Sequence, residues 1–375
     1  MTLPPILTTD AAVIALAKDL EACTVFAVDL EADSMHSYQE KVCLLQFTYG
    51  DKTVLLDPLA VPDLSPLKPV LADSAIRKIF HAADYDIRCL HRDFGIEIGG
   101  LFDTMIASQF LGEEKVGLAD VLGKYFGLVL DKRYQRADWS KRPLSPEMCD
   151  YAAGDTRDLA KLVAIVEPAL IEKDRLWWVE EEFRLLEKAR FRVHEGPAFL
   201  RMKGAGTLPP RALAILENLL QWREKEAQRR DCPAYKVLGN KLLLSVARQA
   251  PRSADEMKKM ADFPDRLVDR YGRAVLNEVE QGLAVAKEDL PHFPRSERRP
   301  RDVEAEKRFT LLKQWRMEKA AELEMDPGIV INNGLLEAIA RQRPQHPEEL
   351  KQIEGLKNWQ REVLGGDMVA ALSGK

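Results

Sequence analysis

The N-terminal part of the chain alternates short apolar runs with amphipathic segments. Apolar runs rich in β-branched residues predict strands at 24–31, 42–49, 53–56 and 79–82. Gly50-Asp51, between the second and third runs, is a hairpin signal. Apolar residues at helical spacing predict helices at 9–22, 85–94, 104–111, 117–126 and 146–173. A strand meander followed by alternating strands and helices is typical of a mixed α/β sheet flanked by helices.

Past about residue 195 the pattern becomes helical and amphipathic, and it repeats itself. Gln221-Trp222-Arg223 returns as Gln314-Trp315-Arg316, and Ala247-Arg248-Gln249 returns as Ala340-Arg341-Gln342, both 93 residues later. A constant offset of this size indicates a tandem structural unit. We therefore predict three domains, at 1–195, 207–288 and 302–375, with a basic, proline-containing linker at 291–301 between the two repeats.

Length and composition are typical of a folded protein of several domains. The chain has 375 residues, of which 46% are hydrophobic and 31% charged. It has no apolar run of membrane-spanning length, and its first residues lack the pattern of a secretory signal peptide. The five cysteines are odd in number and none forms a C-x-x-C pair, which favours reduced thiols over disulfides or a zinc site. We expect a cytoplasmic protein without membrane segments.

Four acidic residues and one tyrosine stand at positions that bring them together in pairs. Asp29 and Glu31 end an apolar run, and side chains two apart on a strand share a face. Tyr151 and Asp155 are four apart in a predicted helix, so they share a face too. Asp86 lies between these pairs in the chain, at the start of another helix. Carboxylates at the end of a buried strand need neutralising, and a hard divalent cation is the usual partner.

Each of these pairs alone is common on exposed strand ends and helix faces. The order and spacing of the two pairs, with Asp86 between them, is what indicates a shared site. This ordered set resembles the three motifs of the DEDD superfamily of 3′→5′ exonucleases, in its tyrosine subclass. Further segments resemble the ribonuclease D family within it. These segments are Leu45-Gln46-Phe47, Leu56-Asp57-Pro58, Phe102-Asp103-Thr104, and Ala137-Asp138-Trp139 through Arg142-Pro143-Leu144.

The resemblance implies a fold and an activity. The fold is an α/β ribonuclease H-like (DEDD exonuclease) domain with a mixed β-sheet, followed by two all-α helical-bundle domains of the HRDC type, a nucleic-acid-binding module shared with RecQ-type helicases. The activity is a 3′→5′ exoribonuclease that trims tRNA precursors and other small structured RNAs and releases nucleoside 5′-monophosphates. It requires two divalent ions, Mg²⁺ or Mn²⁺. The second repeat departs from the pattern at Asp326-Pro327-Gly328, which makes its RNA contact less expected.

The resemblance also implies a role for each motif residue. Asp29 bridges both metal ions, Glu31 and Asp155 complete the site that activates water, and Asp86 reaches the second ion largely through waters. Tyr151 orients the attacking water. Asp84 is the rival to Asp86, but the family places its aspartate immediately before the apolar residue that opens the helix, here Ile87. We therefore choose Asp86 as the ligand and predict that Asp84 caps that helix.

Net charge argues at first against a nucleic-acid partner, since it is −5 with an isoelectric point of about 5.9. Phosphate binding, however, needs only a local basic surface. Between Asp131 and Arg142 five basic residues stand against two acidic ones, with Tyr134 and Trp139 interleaved. Such a loop can hold phosphates and stack a base, or it can be a surface loop anchored by one buried tryptophan. The candidate substrate-binding residues are Gln46, His81, Arg133, Arg136, Trp139 and Arg142, although His81 is more simply a satisfied core histidine.

Two other functions fit part of the pattern. A 3′→5′ DNA exonuclease of the proofreading or helicase-associated kind would share the motifs, because the residues that read the 2′-hydroxyl cannot be placed from the sequence. A non-catalytic nucleic-acid-binding protein on a degenerate exonuclease fold would have lost a ligand, whereas all five motif residues are present. The tandem repeats and the resemblance along the whole chain favour RNA. No obligate protein partner is predicted.

Overall fold

The computed structural model describes residues 3–192, 195–294 and 302–372, which form two compact units. Within the described residues, one unit comprises 3–32, 42–191 and 302–372, and the other comprises 33–41, 192 and 195–294. The first unit therefore joins the predicted exonuclease domain to the second helical repeat. The second unit joins the first repeat to a nine-residue segment from the N-terminal part of the chain. Most of the predicted linker, residues 295–301, lies outside the described residues.

The first unit contains a mixed sheet of six strands. They are β1 Ile6–Leu7, β2 Val25–Ala32, β3 Val42–Tyr49, β4 Lys52–Leu56, β5 Arg77–Phe80 and β6 Leu101–Asp103. Their order is β1-β4-β3-β2-β5-β6; β2–β3 and β3–β4 are antiparallel, and the other neighbours are parallel. The predicted mixed α/β fold is confirmed. Strands β1 and β6 have only two and three residues, too few to leave an alternation pattern in the sequence.

Eight helices accompany this sheet. They are α1 Asp10–Glu21, α2 Lys68–Ala72, α3 Asp84–Phe94, α4 Thr104–Leu111, α5 Leu118–Phe126, α6 Pro146–Arg157, α7 Leu159–Glu172 and α8 Leu176–Leu186. The single helix predicted at 146–173 is wrong, because the backbone leaves helical geometry at Asp158 and separates α6 from α7. None of the helices described is long and apolar enough to cross a bilayer.

The start of α3 also differs from the prediction. Asp84 is the first helical residue, and its cap position is taken by Ala83, which provides no side-chain hydrogen bond. The Asp84 carboxylate instead pairs with Arg88 one turn later, at 2.8 Å. The prediction that Asp84 caps this helix is therefore wrong, and something other than a cap side chain must fix where α3 begins.

Helix α6 covers the face of the sheet that carries the acidic motif residues. It packs on β2, β3 and β4. Leu44 of β3, which lies opposite Glu31, is buried in a cluster with Cys149 and Ala152 of α6. Because alternate strand residues share a face, Asp29 and Glu31 of β2 project toward α6 as well. Val28 and Leu30 point the other way, into the main core.

The helical repeat is confirmed. The first copy contains α9 Pro210–Arg229, α10 Ala234–Val237, α11 Asn240–Gln249, α12 Ala254–Lys258 and α13 Asp265–Ala284, and the second contains α14 Val303–Glu322, α15 Pro327–Val330, α16 Asn333–Gln342 and α17 Asn358–Leu372. Each helix of the second copy begins 93 residues after its counterpart, and a 3₁₀ turn at Pro347–Gln352 replaces α12.

The repeated arginine has a structural explanation. Arg223 donates to the Leu238 carbonyl at 2.9 Å and to the Asn240 side chain at 2.7 Å. Its counterpart Arg316 makes the equivalent two contacts in the second copy, both at 3.0 Å. Each arginine thus ties the long first helix of its repeat to the start of the third. These side chains stabilise the repeat and are poor candidates for phosphate contacts.

The second repeat packs into the core of the first unit. The indole of Trp359 stacks on Trp178 of α8, with ring centroids 5.0 Å apart and an interplanar angle of 9°. The Glu181 carboxylate accepts hydrogen bonds from the backbone N–H groups of Asn358 and Trp359, both at 2.8 Å. It therefore caps α17 from a different helix, at the end where N–H groups lack intrahelical partners and negative charge is favoured.

A second contact joins the same parts of this unit. Arg175 is buried and donates to the carbonyls of Phe110, at the end of α4, and Leu323, at the end of α14. Gly112, which directly follows α4, has φ +87°. A Cβ at this position would lie 2.0 Å from the Glu324 carbonyl oxygen. Glycine is required by both the backbone conformation and the close approach. The second repeat is therefore an integral part of this unit.

We expect Trp359→Ala to destabilise the unit that contains the sheet. Truncating a fully buried tryptophan leaves a cavity and should cost about 3–5 kcal/mol of unfolding free energy, measured by urea denaturation. Met317→Ala, at a position of α14 that is 56% exposed, is the matched control and should change it by less than about 0.5 kcal/mol. Equal stability of the two variants would contradict this account of the packing.

Candidate active site

Three carboxylates meet where β2 ends beneath α6. Asp29 and Glu31 come from β2 and Asp155 from α6, and one carboxylate oxygen from each lies within 4.8 Å of those of the other two. All three side chains are half-buried. The period of the strand brings the first two together, and the packing of α6 across the sheet adds the third. Such a group of oxygens can serve as ligands for a hard divalent cation.

Asp86 lies beside this group of three and outside it. It occupies the first turn of α3 and is 6% exposed. Burial raises its pKa well above the usual range, and the charge of Asp29 raises it further. A hydrogen bond from the Leu30 backbone N–H lowers the pKa of Asp86 and also that of Asp29. Four acidic side chains therefore share one small region, as the sequence motifs predict.

The same burial makes the carboxylates hard to ionise without a cation. Burial raises the pKa of Asp29 to about 7, of Asp155 to about 8, and of Glu31 to about 10. For Glu31, repulsion from Asp29, Asp155 and Asp86 adds to the effect of burial. A divalent cation would favour the charged forms and relieve this repulsion. The donor set, which is made of oxygen atoms, fits Mg²⁺ or Mn²⁺.

Gln46 supplies an independent sign that the site takes a polar ligand. It lies directly opposite Asp29 in the β2–β3 pairing and is fully buried. Neither its amide oxygen nor its amide nitrogen has a hydrogen-bond partner among the described residues. An unsatisfied buried polar group costs about 1–3 kcal/mol. A hydrated cation or a substrate oxygen beside Asp29 would remove that cost.

Tyr151 is held in place by the basic loop of residues 131–142. Its hydroxyl hydrogen-bonds Asp155, one helical turn later, and lowers the pKa of that carboxyl. Its ring packs against Tyr134 and Trp139, with centroids 5.9 and 6.0 Å apart. Burial raises the pKa of the Tyr151 hydroxyl, as do the neighbouring carboxylates. The phenol therefore stays protonated at neutral pH.

Two of the expected substrate-binding residues have structural roles instead. Trp139 is 1% exposed, so its ring cannot stack on a base, and the alternative of a buried anchor is correct. All five N–H groups of Arg142 are used within the protein. They donate to both carboxylate oxygens of Asp57 and to the carbonyls of Cys43, Trp139 and Lys141. No donor is left for a phosphate, so the prediction that Trp139 and Arg142 contact the substrate is wrong.

The remaining candidates differ in position. The His81 Nδ1 lies 2.9 Å from the Thr104 hydroxyl, and burial lowers the pKa of the ring. Its buried Nε2 has no hydrogen-bond partner among the described residues, so the simpler interpretation as a satisfied core histidine is wrong. Arg136 is exposed. Arg133 is also exposed, pairs with Asp131, and lines a cavity of about 350 Å³ that Tyr151 and Asp155 border. Arg133 and Gln46 are thus the candidates that adjoin the carboxylates, and their contact with substrate stays a prediction.

Sequence reasoning assigned no role to two buried aspartates that support this site. Asp57 fixes Arg142 and through it the loop that holds Tyr151. Asp103 is fully buried and accepts four backbone hydrogen bonds, two just before α3 and two in the first turn of α4. Both stand at the ends of apolar strands within segments that carried the family resemblance. The same signal that singled out Asp29 was therefore present at Asp57 and Asp103.

Comparisons with known families divide the chain in the same order as its elements. Residues 4–171 match the family described as 3′-5′ exonuclease. Residues 212–279 and 305–372 each match the HRDC domain. These two ranges are 93 residues apart, which is the offset of the repeat found in the sequence.

Individual proteins resemble the chain along most of its length. Ribonuclease D of Escherichia coli is 32% identical over 290 residues, which cover 76% of this chain and 76% of that protein. Ribonuclease D of Granulibacter bethesdensis is 28% identical over 99% of this chain and 93% of that protein. Among solved structures, Escherichia coli RNase D has a TM-score of 0.76 at 26% identity and covers 100% of this chain and 99% of that one. The catalytic core of RRP6 from Trypanosoma brucei has a TM-score of 0.66 at 32% identity and covers 76% of this chain and 81% of that one.

The raised pKa values predict how stability responds to pH and Mg²⁺. The carboxylates of Asp29, Asp155 and Glu31 have folded pKa values of about 7 to 10, above the value of about 4 expected in the unfolded chain. The protonated forms of these three groups stabilise the folded state, and this stabilisation is fully present below pH about 4. It is lost as pH rises through 7 to 10, because the groups then give up their protons in the folded state. A cation that replaces the protons should therefore stabilise the protein more at pH 9 than at pH 6.

Thermal unfolding in chelator and in Mg²⁺, at both pH values, measures this difference. Asp29→Asn should lose most of the Mg²⁺ effect. A Mg²⁺ effect that is absent, or that is equal at pH 6 and pH 9, would show that these carboxylates do not hold the cation.

Proposed function

Because the chain belongs to the ribonuclease D family of 3′→5′ exoribonucleases, we propose that it shortens structured RNAs from their 3′ ends and releases nucleoside 5′-monophosphates. Its proposed substrates include tRNA precursors with 3′ extensions. The observation that carries the proposal is the group of Asp29, Glu31 and Asp155 beside Tyr151. The family's reaction uses divalent cations. The carboxylates of this group, together with that of Asp86, are suited to binding such cations.

We propose that two divalent ions, Mg²⁺ or Mn²⁺, bind at Asp29, Glu31, Asp86 and Asp155. Bound there, such ions would supply an activated water and would neutralise charge on the scissile phosphate and the leaving 3′-oxygen. The buried carboxylates position them, and Gln46 offers an amide oxygen and two N–H donors to waters or substrate at the same place. This use accounts for the burial of so much acidic charge at one strand end.

Tyr151 acts as a positioning residue for the attacking water. Its raised pKa keeps the hydroxyl protonated, so it can donate one hydrogen bond and accept another but cannot serve as a base near neutral pH. Packing against Tyr134 and Trp139 limits the freedom of the ring. A hydroxyl held in this way favours the geometry needed for attack at little entropic cost.

Substrate capture is proposed to involve the cavity beside the tyrosine and the first repeat. Arg133 and Arg157 line the cavity together with Leu128, Val129 and Leu130, which offers guanidinium groups to a phosphate and apolar side chains to a base. The same lining includes five acidic side chains, those of Asp131, Glu147, Asp150, Asp155 and Asp158. In the first repeat, Tyr235 is 53% exposed and precedes the exposed Lys236. The second repeat has Gly328 at the position of Tyr235, which favours the first copy as an RNA contact.

Structured RNA is the preferred substrate class for two reasons. Escherichia coli RNase D is described as an exoribonuclease involved in structured RNA processing. The chain also carries a first helical repeat, matched to the HRDC domain, that belongs to a different unit from the sheet and so offers a surface for RNA beyond the 3′ end. Family membership favours RNA over the DNA alternative. The non-catalytic alternative requires a lost ligand, whereas all four carboxylates are present at the site.

The proposed function is tested by incubating the full chain with a 3′-extended tRNA precursor, a short unstructured RNA and single-stranded DNA, each with Mg²⁺ or Mn²⁺. Products resolved to one nucleotide should show stepwise 3′ shortening of RNA and release of 5′-monophosphates, with a lower KM for the tRNA precursor. Asp29→Asn should be inactive although folded. Internal cleavage, a preference for DNA, or activity in excess chelator would contradict the proposal.

We expect Tyr151→Phe to lower kcat by roughly 10- to 1000-fold, the range of a lost positioning or proton-transfer contact. The variant keeps the ring and its packing but removes the hydroxyl that hydrogen-bonds Asp155. Mn²⁺ affinity, measured by calorimetry, should change little, because the carboxylates remain. A collapse of Mn²⁺ affinity with little loss of kcat would show that the tyrosine mainly organises the metal site.

A further inference from the structure

We infer that Asp103 is a positioning residue for the reaction, because its buried carboxylate clamps the backbone that sets the place of Asp86. Asp103 ends β6, where it lies opposite Phe80 of β5. The chain leaves β5 after Phe80 and enters α3 at Asp84. The segment of residues 81–83 therefore connects the sheet to the helix that carries Asp86. This inference rests on the proposed role of Asp86 as a metal ligand.

The Asp103 carboxylate holds this segment by charge-assisted hydrogen bonds. One oxygen accepts from the Ala82 N–H at 3.1 Å, and the other accepts from the Ala83 N–H at 2.8 Å. The first oxygen also accepts from Met105 and Ile106, at 2.8 and 3.2 Å, and so caps α4. Bonds to an ionised acceptor are stronger than neutral ones, and the positive end of α4 favours the charge. One side chain thus fixes the beginnings of two helices.

The clamped backbone is strained. Ala82 has φ +66°, in the left-handed region that a residue with a Cβ rarely adopts. A strained conformation of this kind persists only where the surroundings determine it. The two hydrogen bonds that Asp103 accepts from the N–H groups of Ala82 and Ala83 supply that constraint. Glycine would adopt the same conformation without strain.

Among the described residues, the side chain that holds the backbone N–H groups of Ala82 and Ala83 is that of Asp103. The cap residue Ala83 provides no side-chain hydrogen bond, and Asp84 is engaged with Arg88. Thr104 holds only the earlier part of the connection, since its hydroxyl donates to the Phe80 carbonyl at 3.0 Å and lies 2.9 Å from the His81 ring. Asp103 therefore fixes the backbone that leads into α3, three residues before Asp86, and the Leu30 backbone N–H contacts the Asp86 carboxylate itself.

Asp103 is suited to positioning and not to ligation. It is fully buried, and it stands outside the group formed by Asp29, Glu31 and Asp155. Its two oxygens are already engaged by four N–H groups. The structure therefore assigns it the role of a support behind a ligand. Loss of such a support typically lowers metal affinity or activity by 10- to 100-fold.

The test uses Asp103→Asn, which keeps the shape but replaces one acceptor oxygen with a donor. Mn²⁺ affinity of the full chain, measured by calorimetry, should fall about 10- to 100-fold. Leu20→Ala, a substitution in the core of the same unit at α1, controls for general destabilisation and should bind Mn²⁺ like the parent. Adding Ala82→Gly to Asp103→Asn should recover part of the lost affinity, because the connection then needs less constraint. Ala82→Gly alone should leave the affinity near the parental value.

The outcomes separate this inference from the proposed function. Unchanged Mn²⁺ affinity in Asp86→Asn would overturn the ligand assignment itself. If Asp86→Asn weakens binding but a folded Asp103→Asn binds Mn²⁺ as tightly as the parent, the clamp is overturned. If Asp103→Asn fails to fold, the double variant that also carries Ala82→Gly tests the clamp. Recovery of folding and Mn²⁺ binding by Ala82→Gly supports the clamp, and continued failure to fold overturns it.

Discussion

Mutual repulsion among closely spaced, half-buried carboxylates is the constraint on which the rest of this structure depends. Asp29, Glu31 and Asp155 place oxygens within 4.8 Å of one another, with Asp86 alongside, in surroundings that disfavour ionisation. A fold does not gather such groups for stability, because an unpaired buried charge is costly. The proposed divalent cations would make the arrangement favourable and would thereby link the stability of the site to the proposed reaction.

The surrounding elements keep these groups together against that repulsion. Because side chains alternate along β2, Asp29 and Glu31 lie on one face, and the packing of α6 on β2, β3 and β4 brings Asp155 to them. The Asp103 clamp holds the backbone before the helix that carries Asp86. Arg142 and Asp57 anchor the loop whose aromatic rings hold Tyr151. The second repeat completes the core of the same unit through Trp359 and Arg175. The second of the two HRDC-type repeats thus has a structural role. The first repeat is therefore the better candidate for RNA contact.

Periodicity and motif spacing predicted the parts of the fold that depend on local rules. The face shared by Asp29 and Glu31, the helical turn between Tyr151 and Asp155, and the 93-residue repeat all follow from spacing alone. Features that depend on distant partners were missed or wrong. Asp84 reads as a cap, but the backbone before α3 is held by Asp103, which comes from another strand. Trp139 and Arg142 read as substrate contacts in a basic loop, yet both are engaged by residues far away in the sequence. The grouping of the second repeat with the sheet depends on Trp178 and Glu181, which no local pattern marks.

Anomalous diffraction from crystals soaked in Mn²⁺ tests the central claim most directly, because it locates the cation without relying on activity. The account predicts anomalous peaks bordered by Asp29, Glu31 and Asp155, with Asp86 beside them and the Tyr151 hydroxyl facing the same space. These peaks should disappear in crystals of Asp29→Asn. Crystals saturated with Mn²⁺ that show no peak at these carboxylates, or a peak only elsewhere on the protein, would contradict it.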